Sequence, residues 1–131
     1  MTDSILTSVK KAVNVGETDK SFDVDILLHL NSALAVLHQM GVGPRDGFEV
    51  EDESATWENF LGVDPRLNSA KTYVSLSVRM DFDPPATSFT QDAFKKRMEE
   101  IAWRLNVYIE ARDAVPVVIL PVGRVIDGGA P

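Results

Sequence analysis

The chain has 131 residues, of which 44% are apolar and 25% charged, so it is expected to form one globular domain with a hydrophobic core. It has no cysteine, which excludes disulfides, thiolate zinc sites and cysteine nucleophiles, and its net charge of −7 disfavours tight binding to nucleic-acid phosphates. The sequence shows neither a signal peptide nor an apolar run of the roughly 18 residues that cross a bilayer, which predicts a soluble, intracellular protein without membrane contact.

Two helices are predicted in the first third of the chain. A short one covers about residues 4–13 and closes before Gly16. A longer one begins with Asp23 as its cap and ends at Gly41. Its apolar positions are Ile26, Leu27, Leu28, Leu30, Ala33, Leu34, Ala35, Val36, Leu37 and Met40. They cover a wide arc, so we expect this helix to be buried on more than one side.

Most of the net charge lies in residues 44–64, which hold seven carboxylates and one cation. Within this segment, residues 47–52 alternate between apolar and acidic, which predicts a short exposed strand or hairpin arm. A single helical turn over 56–61 follows, and its aromatic side chains are expected to pin the segment to the core. The acidic surface is either a solvated loop or a face that meets a basic partner or repels nucleic acid. Its candidate residues are Asp46, Glu49, Glu51, Asp52, Glu53 and Glu58.

Two further helices are predicted after this segment. Asp64-Pro65 supplies a capping carboxylate and then a proline at the first helical position, so a helix is expected over about 65–80. Ser88 and Gln91 have the spacing of a capping box, which opens the longest helix, over about 89–112. Its main apolar stripe is Phe94, Met98, Ile101, Leu105 and Tyr108.

Trp103 and Val107 lie four residues apart on a neighbouring face of that last helix. They either widen the core stripe or form a contact between subunits, because tryptophan is favoured at the centres of interfaces. Together with Tyr108 they are the candidate subunit-interface residues.

The residue pattern predicts no catalytic centre, metal site or cofactor. His29 and His38 are nine residues apart on one helix, which places them on opposite faces. The pairs of aspartates at 23–25 and 81–83 resemble the start of calcium loops but lack the later ligands. The sequence contains no phosphate-binding glycine loop, and no spacing of serine, histidine and aspartate selects a triad.

Residues 114–131 form an uncharged apolar stretch followed by a short tail, and Pro116 and Pro121 prevent continuation of the helix. We expect an extended arm, which folds back on its own domain or docks on another chain. The candidate docking residues are Val115, Val117, Val118, Ile119, Leu120, Val122 and Val125. The predicted fold is mainly α: a bundle of about four helices with a short β-like excursion over residues 1–113, and the arm over 114–131.

Seven blocks of the sequence, taken in order and with their spacing, resemble a known family. They are SILTSVKK at 4–11, FDVDILLHLN at 22–31, QMGVGP at 39–44, TWENFLG at 56–62, LNSAKTYV at 67–74, VRMDFDPP at 78–85 and EIAWRLNVY at 100–108. The set resembles the head–tail connector (adaptor) proteins of tailed bacteriophages, and is most similar to the branch found in phages of actinobacteria.

The resemblance implies a structural virion protein of the neck, made in the host cytoplasm. Such subunits form a ring of about twelve beneath the portal and hold a tail-side stopper or tail terminator protein. Double-stranded DNA passes through the ring without specific binding, and the family has no catalytic residues.

On this basis we expect the arm to dock on the portal or a neighbouring subunit, and the acidic segment to face the channel or the tail-side partner. Two other hypotheses remain open: a small acidic helical regulator or inhibitor that binds a basic protein, and an enzyme subunit whose site a partner completes.

Overall fold

The computed structural model describes residues 3–114, which form five α-helices and one 3₁₀ turn. The helices are α1 (Ile5–Ala12), α2 (Asp23–Gln39), α3 (Trp57–Leu61), α4 (Ser69–Phe82) and α5 (Ser88–Asp113), and the 3₁₀ turn covers Pro65–Leu67. The predicted mainly α fold is confirmed. The arm is predicted over 114–131, and its residues 115–131 lie outside the described residues.

Helix α4 lies at the centre of the bundle. It packs against α1, α2 and α5, whereas α2 and α5 make few contacts with each other. The fully buried residues of α4 are Ala70, Val74 and Val78. Around them are the buried side chains of α2 (Ile26, Leu30, Ala33, Leu34 and Leu37) and of α5 (Ile101, Leu105 and Ile109). Helices α2 and α5 therefore share α4 as their main packing partner, and the C-terminal part of α5 also contacts Gly41, just after α2.

A buried ion pair joins α1 to the start of α2. Lys10 is 2% exposed, and its Nζ lies 2.8 Å from Oδ1 of Asp23 while it also donates a hydrogen bond to the carbonyl oxygen of Glu17. The contact with Asp23 is ionic, since this Oδ1 has no partner of hydrogen-bond geometry among residues 3–114. The prediction that Asp23 caps α2 was therefore wrong: Phe22 is the cap and makes no side-chain bond, while the carboxylate turns to Lys10.

The predicted helix starts at Asp64 and Ser88 need two corrections. Asp64 does cap a turn, by accepting a hydrogen bond from the backbone N–H of Arg66, but this turn is 3₁₀ and α4 begins after it. The cap of α5 is Thr87, whose hydroxyl accepts from the N–H of Thr90. Gln91 donates to the carbonyl oxygen of Pro85, so the predicted capping box is absent.

The β-like excursion is not a strand. Within residues 3–114 the pairing of β type is a single isolated bridge between Ser4 and Thr56. The N–H and C=O of Val50, which a partner strand would have paired, instead bond to the side-chain amide of Asn31 on α2, at 2.8 and 2.9 Å. The alternating pattern still predicts which side chains are buried, since Val50 is buried while Glu49 and Glu51 are exposed.

The helical turn predicted over 56–61, within the acidic segment, is α3. Trp57 and Phe60 are buried, and the indole N–H of Trp57 donates to the hydroxyl of Ser8 on α1 at 2.8 Å. The ring of Phe60 also packs against that of Phe48, with centroids 5.2 Å apart. These aromatic contacts fix both ends of the acidic segment to the core.

Candidate functional site

Neither histidine takes part in a metal site in the described part of the chain. Nδ1 of His29 lies 3.8 Å from a carboxylate oxygen of Asp81, and Nε2 of His38 lies 3.2 Å from the carbonyl oxygen of Arg45. Residues 3–114 contain no group of three or more His, Asp or Glu side chains placed to hold a metal ion. Within the same residues, no helix is both long enough and apolar enough to cross a bilayer.

The outer face of α5 is exposed and partly apolar. Trp103 is 67% exposed and Val107 45% exposed, so neither belongs to the core stripe. Phe89 and Lys96 lie on the same face, at seven-residue intervals from Trp103. An open tryptophan beside an open valine is the arrangement expected of a contact surface. Their role between subunits stays a prediction.

Tyr108 differs from these two residues because its hydroxyl is already used within the chain. It donates a hydrogen bond to Asp64, and the guanidinium of Arg66 lies 4.8 Å from the centre of its ring. The hydroxyl of Tyr108 and the backbone N–H of Arg66 lower the pKa of Asp64 to about 2. The same bond raises the pKa of Tyr108. Tyr108 thus fastens α5 to the 3₁₀ turn.

The outer face of α2 is a second open apolar surface. Val24 is 81% exposed and Leu28 65% exposed, and Ala35 lies on the same side of the helix. With the acidic segment they border a shallow groove whose lining is Val24, Leu27, Leu28, Asn31, Ser32, Ala35, Glu49, Val50 and Glu51. We name this surface the α2 groove. Burial of α2 on more than one side, expected from its sequence, is not found within the described part of the chain.

The acidic segment presents all six of its candidate carboxylates to solvent. Asn31 holds Glu49 and Glu51 along the rim of the α2 groove. Glu58 lies apart from them, on α3, beside a different depression. The structure therefore divides these carboxylates among separate places. Hydrogen bonds from the side chain and backbone N–H of Ser54 lower the pKa of Asp52.

Sequence reasoning missed two residues: one that holds the acidic segment against α2, and one that belongs to the buried stripe of α5. Asn31 is a polar residue inside the long apolar pattern of α2, and this interruption was the available signal for its bonds to Val50. Ile109 completes the inner stripe of α5 and contacts the region of Gly41, where a Cβ on that glycine would lie 2.8 Å from the isoleucine side chain. It lies four residues after Leu105, the spacing of a helical stripe.

Comparison with known proteins gives one match. Residues 5–112 match a family model described as phage connector protein. The match spans all five helices and ends one residue before the end of α5. Searches among curated proteins and among solved structures found no match.

Proposed function

Because the chain belongs to the phage connector protein family, we propose that it forms a ring below the portal, joins the DNA-filled head to the tail and lines part of the DNA exit channel. Membership of the family gives the chain a head–tail connector role and a place in the virion neck. The family is structural, and we assign the chain no catalytic step. The observation that carries the proposal is the family match over every helix of the bundle.

Exposed apolar faces support the ring. In the single chain, Trp103 on α5 and Leu28 on α2 are exposed to solvent. Association of copies buries apolar surface of this kind. A closed ring uses contacts between two different patches on each copy, and this chain offers two. We expect about twelve copies on the portal, the number that the resemblance implies.

The arm is assigned to the portal or a neighbouring subunit. Residues 115–125 include seven apolar residues other than proline, and Arg124 is their one charge. An extended segment gains backbone hydrogen bonds and side-chain pockets when it adds to another chain. The guanidinium of Arg112 donates to the carbonyl oxygen of Gly41 at 3.3 Å, so α5, which precedes the arm in the sequence, ends beside the end of α2.

Acidic side chains beyond the α2 groove are assigned to the channel or the tail-side stopper or terminator. Asp52 and Glu53 are exposed at the turn that follows the groove, and Glu53 lies 3.9 Å from Lys20. Carboxylates repel DNA phosphates, so a channel lined with them does not hold the DNA that passes.

Mixing the purified chain with purified portal particles tests the ring. Electron microscopy should show an added ring of density below the portal, and a sedimentation assay should show the chain travelling with the portal. A chain that binds no portal would exclude the connector ring and favour the alternative, a small acidic helical regulator of a basic protein.

A truncation tests the arm. Removal of residues 114–131 should abolish or strongly reduce sedimentation with the portal, whereas removal of residues 126–131 keeps the apolar part and should leave binding intact. Undiminished binding after the longer truncation would refute the assignment of the arm.

Charge reversal tests the acidic residues. Asp52→Lys with Glu53→Lys should impair tail joining or DNA retention in assembled particles, while Glu17→Lys, at an exposed site outside the segment, should not. The assignment fails if the double variant joins tails and retains DNA as the unmodified protein does.

A further inference from the structure

We propose that the α2 groove of one subunit receives the outer face of α5 from the next subunit, with Trp103 and Val107 packed against Leu28. The proposal rests on the proposed ring and names the two surfaces that meet in it. The occupant of the groove is a second copy of this chain.

The two surfaces are different faces of the bundle, and each lies on the side of its helix that is turned away from the core. On α2, Leu28 points away from the side on which Leu30 and Leu37 pack toward α4, because successive residues turn by about 100°. On α5, Trp103 points away from the buried Leu105 for the same reason. Because α2 and α5 each pack against α4 and each keeps an outer face open, one copy can contact two neighbours through two different faces. This geometry suits head-to-tail contacts, which use two different patches, rather than a two-fold contact, which uses one patch twice.

The shapes and polarities of the surfaces are complementary. The lining of the groove includes the exposed apolar side chains of Val24 and Leu28, and the small side chains of Ser32 and Ala35 next to them leave room for an indole ring. The side chain of Trp103 is 67% exposed, so its indole N–H is accessible to an acceptor on another chain. Carboxylates on the rim of the groove can accept from it, as a tryptophan at the edge of an interface requires.

The charges are complementary too. Residues 46–58 hold six carboxylates and no lysine or arginine, whereas residues 92–104 of α5 hold four cations and three carboxylates. Arg97 and Arg104 both pair with Glu100. Lys95 and Lys96 are exposed and border a depression that Asp92 and Glu99 also line, but none of these four side chains forms an ion pair within the described residues. Lys96 shares the face of Trp103. The lysines are therefore available to Glu49 and Glu51 on the rim of a neighbour's groove.

Because the chain has no cysteine, cross-linking can test the contact directly. Leu28→Cys and Val107→Cys are made as separate variants and assembled on the portal, each alone and as an equal mixture, and then treated with a short bismaleimide. The mixture should give a covalent dimer on a denaturing gel at least tenfold more strongly than either variant alone. Val63→Cys, 84% exposed and outside both surfaces, replaces Val107→Cys in the control mixture and should give no such dimer.

Four results would overturn the contact. Equal cross-linking of Leu28→Cys alone would show a two-fold contact through the groove. Absence of the mixed dimer in a sample whose rings are visible by electron microscopy would show that other surfaces meet, while leaving the proposed ring intact. Cross-linking within one chain between Leu28→Cys and Val118→Cys would show that the arm occupies the groove. If the unmodified chain forms no ring on the portal, the proposed function fails and the contact with it.

A charge exchange provides a second measurement that does not depend on cysteine geometry. Glu51→Lys and Lys96→Glu, each alone, should lower the fraction of chain in rings at least fivefold. The chain that carries both changes should recover most of that loss, since each lysine again faces a glutamate. Equal losses in the single variants and the double variant would contradict the pairing.

Discussion

The two sides of α2 are both apolar, yet they have opposite fates in the single chain. Leu30 is fully buried against the bundle, whereas Leu28, two residues earlier, is 65% exposed. On α5 the same contrast separates Leu105, 2% exposed, from Trp103, 67% exposed. Apolar character alone thus does not distinguish a core from a surface that a partner covers. What distinguishes them is whether another helix of the same chain lies opposite.

Substitutions on the two sides of α2 should change the free energy of unfolding by very different amounts. Leu30→Ala should lower the free energy of unfolding by about 2–5 kcal/mol, because it leaves a cavity in the packed layer. Leu28→Ala should change it by less than about 0.5 kcal/mol, since that side chain is open. Urea denaturation followed by circular dichroism measures both. Equal losses of unfolding free energy in the two variants would show that Leu28 is covered in the isolated chain.

The next effect compares a buried charge pair with an exposed one. Asp23→Ala leaves the ammonium of Lys10 buried without its counter-ion and should cost about 3 kcal/mol, the lower end for a broken buried pair because Asp23 itself is partly exposed. Glu100→Ala removes an exposed carboxylate that pairs with Arg97 and Arg104, and it should cost less than about 1 kcal/mol. The same denaturation assay applies. A loss for Asp23→Ala no larger than that for Glu100→Ala would contradict the inner position of the Lys10 pair.

A smaller effect tests the link between α2 and the acidic segment. Gly43 has φ of 97°, and a Cβ there would lie 2.5 Å from the ring of Phe60, so Gly43→Ala should cost about 1–3 kcal/mol. Gly16 has open space around it, and Gly16→Ala should be neutral or stabilising by up to about 1 kcal/mol. Thermal unfolding distinguishes the opposite signs. Similar melting temperatures for the two variants would show that the turn at Gly43 adapts.

The smallest effect concerns the bond that attaches α5 to the 3₁₀ turn. In the folded chain the pKa of Asp64 is lowered from 3.8 to about 2. The ionised carboxylate therefore stabilises the folded chain fully above about pH 4, and this stabilisation is lost as the pH falls through 2. Tyr108→Phe removes the hydroxyl that is the main cause of this shift and should raise the pKa of Asp64 toward its ordinary value.

Thermal unfolding between pH 5 and pH 2 measures that effect. The stability difference between the unmodified chain and Tyr108→Phe should be greatest near pH 5 and should shrink toward pH 2. Tyr73→Phe is the control, since burial alone raises the pKa of Tyr73. A difference for Tyr108→Phe that does not change with pH would show that Asp64 does not take part.

Much of the bundle could be predicted from apolar spacing. Leu67, Ala70, Val74 and Val78 follow the helical period, and all four are buried as a row beside α2 and α5. The ends of the helices were harder to predict, because several neighbouring side chains can each act as the cap. Thr87 and Ser88 are adjacent hydroxyl residues, and Thr87 is the cap, while the side chain of Gln91 bonds to the carbonyl oxygen of Pro85.

The candidate site was less predictable, because it depends on which apolar faces remain open. The sequence of α2 is apolar on nearly every side, and its outer face is exposed because no other described helix packs there. The extended segment around Val50 was predicted to pair as a strand. It does not, because Asn31 satisfies the same backbone groups from a helix nineteen residues earlier, a contact that local pattern does not reveal.

The central position of α4 has a consequence for the size of the assembly. The angle between the outer faces of α2 and α5 depends on how closely each of these helices packs against α4. Protein interiors are packed so densely that a change in side-chain volume on α4 would shift the helices around it. Ala70 is fully buried on α4, so a larger side chain at this position would change the angle between the two outer faces. Curvature, and with it the number of copies that close a circle, would then be altered by a residue that touches no other subunit.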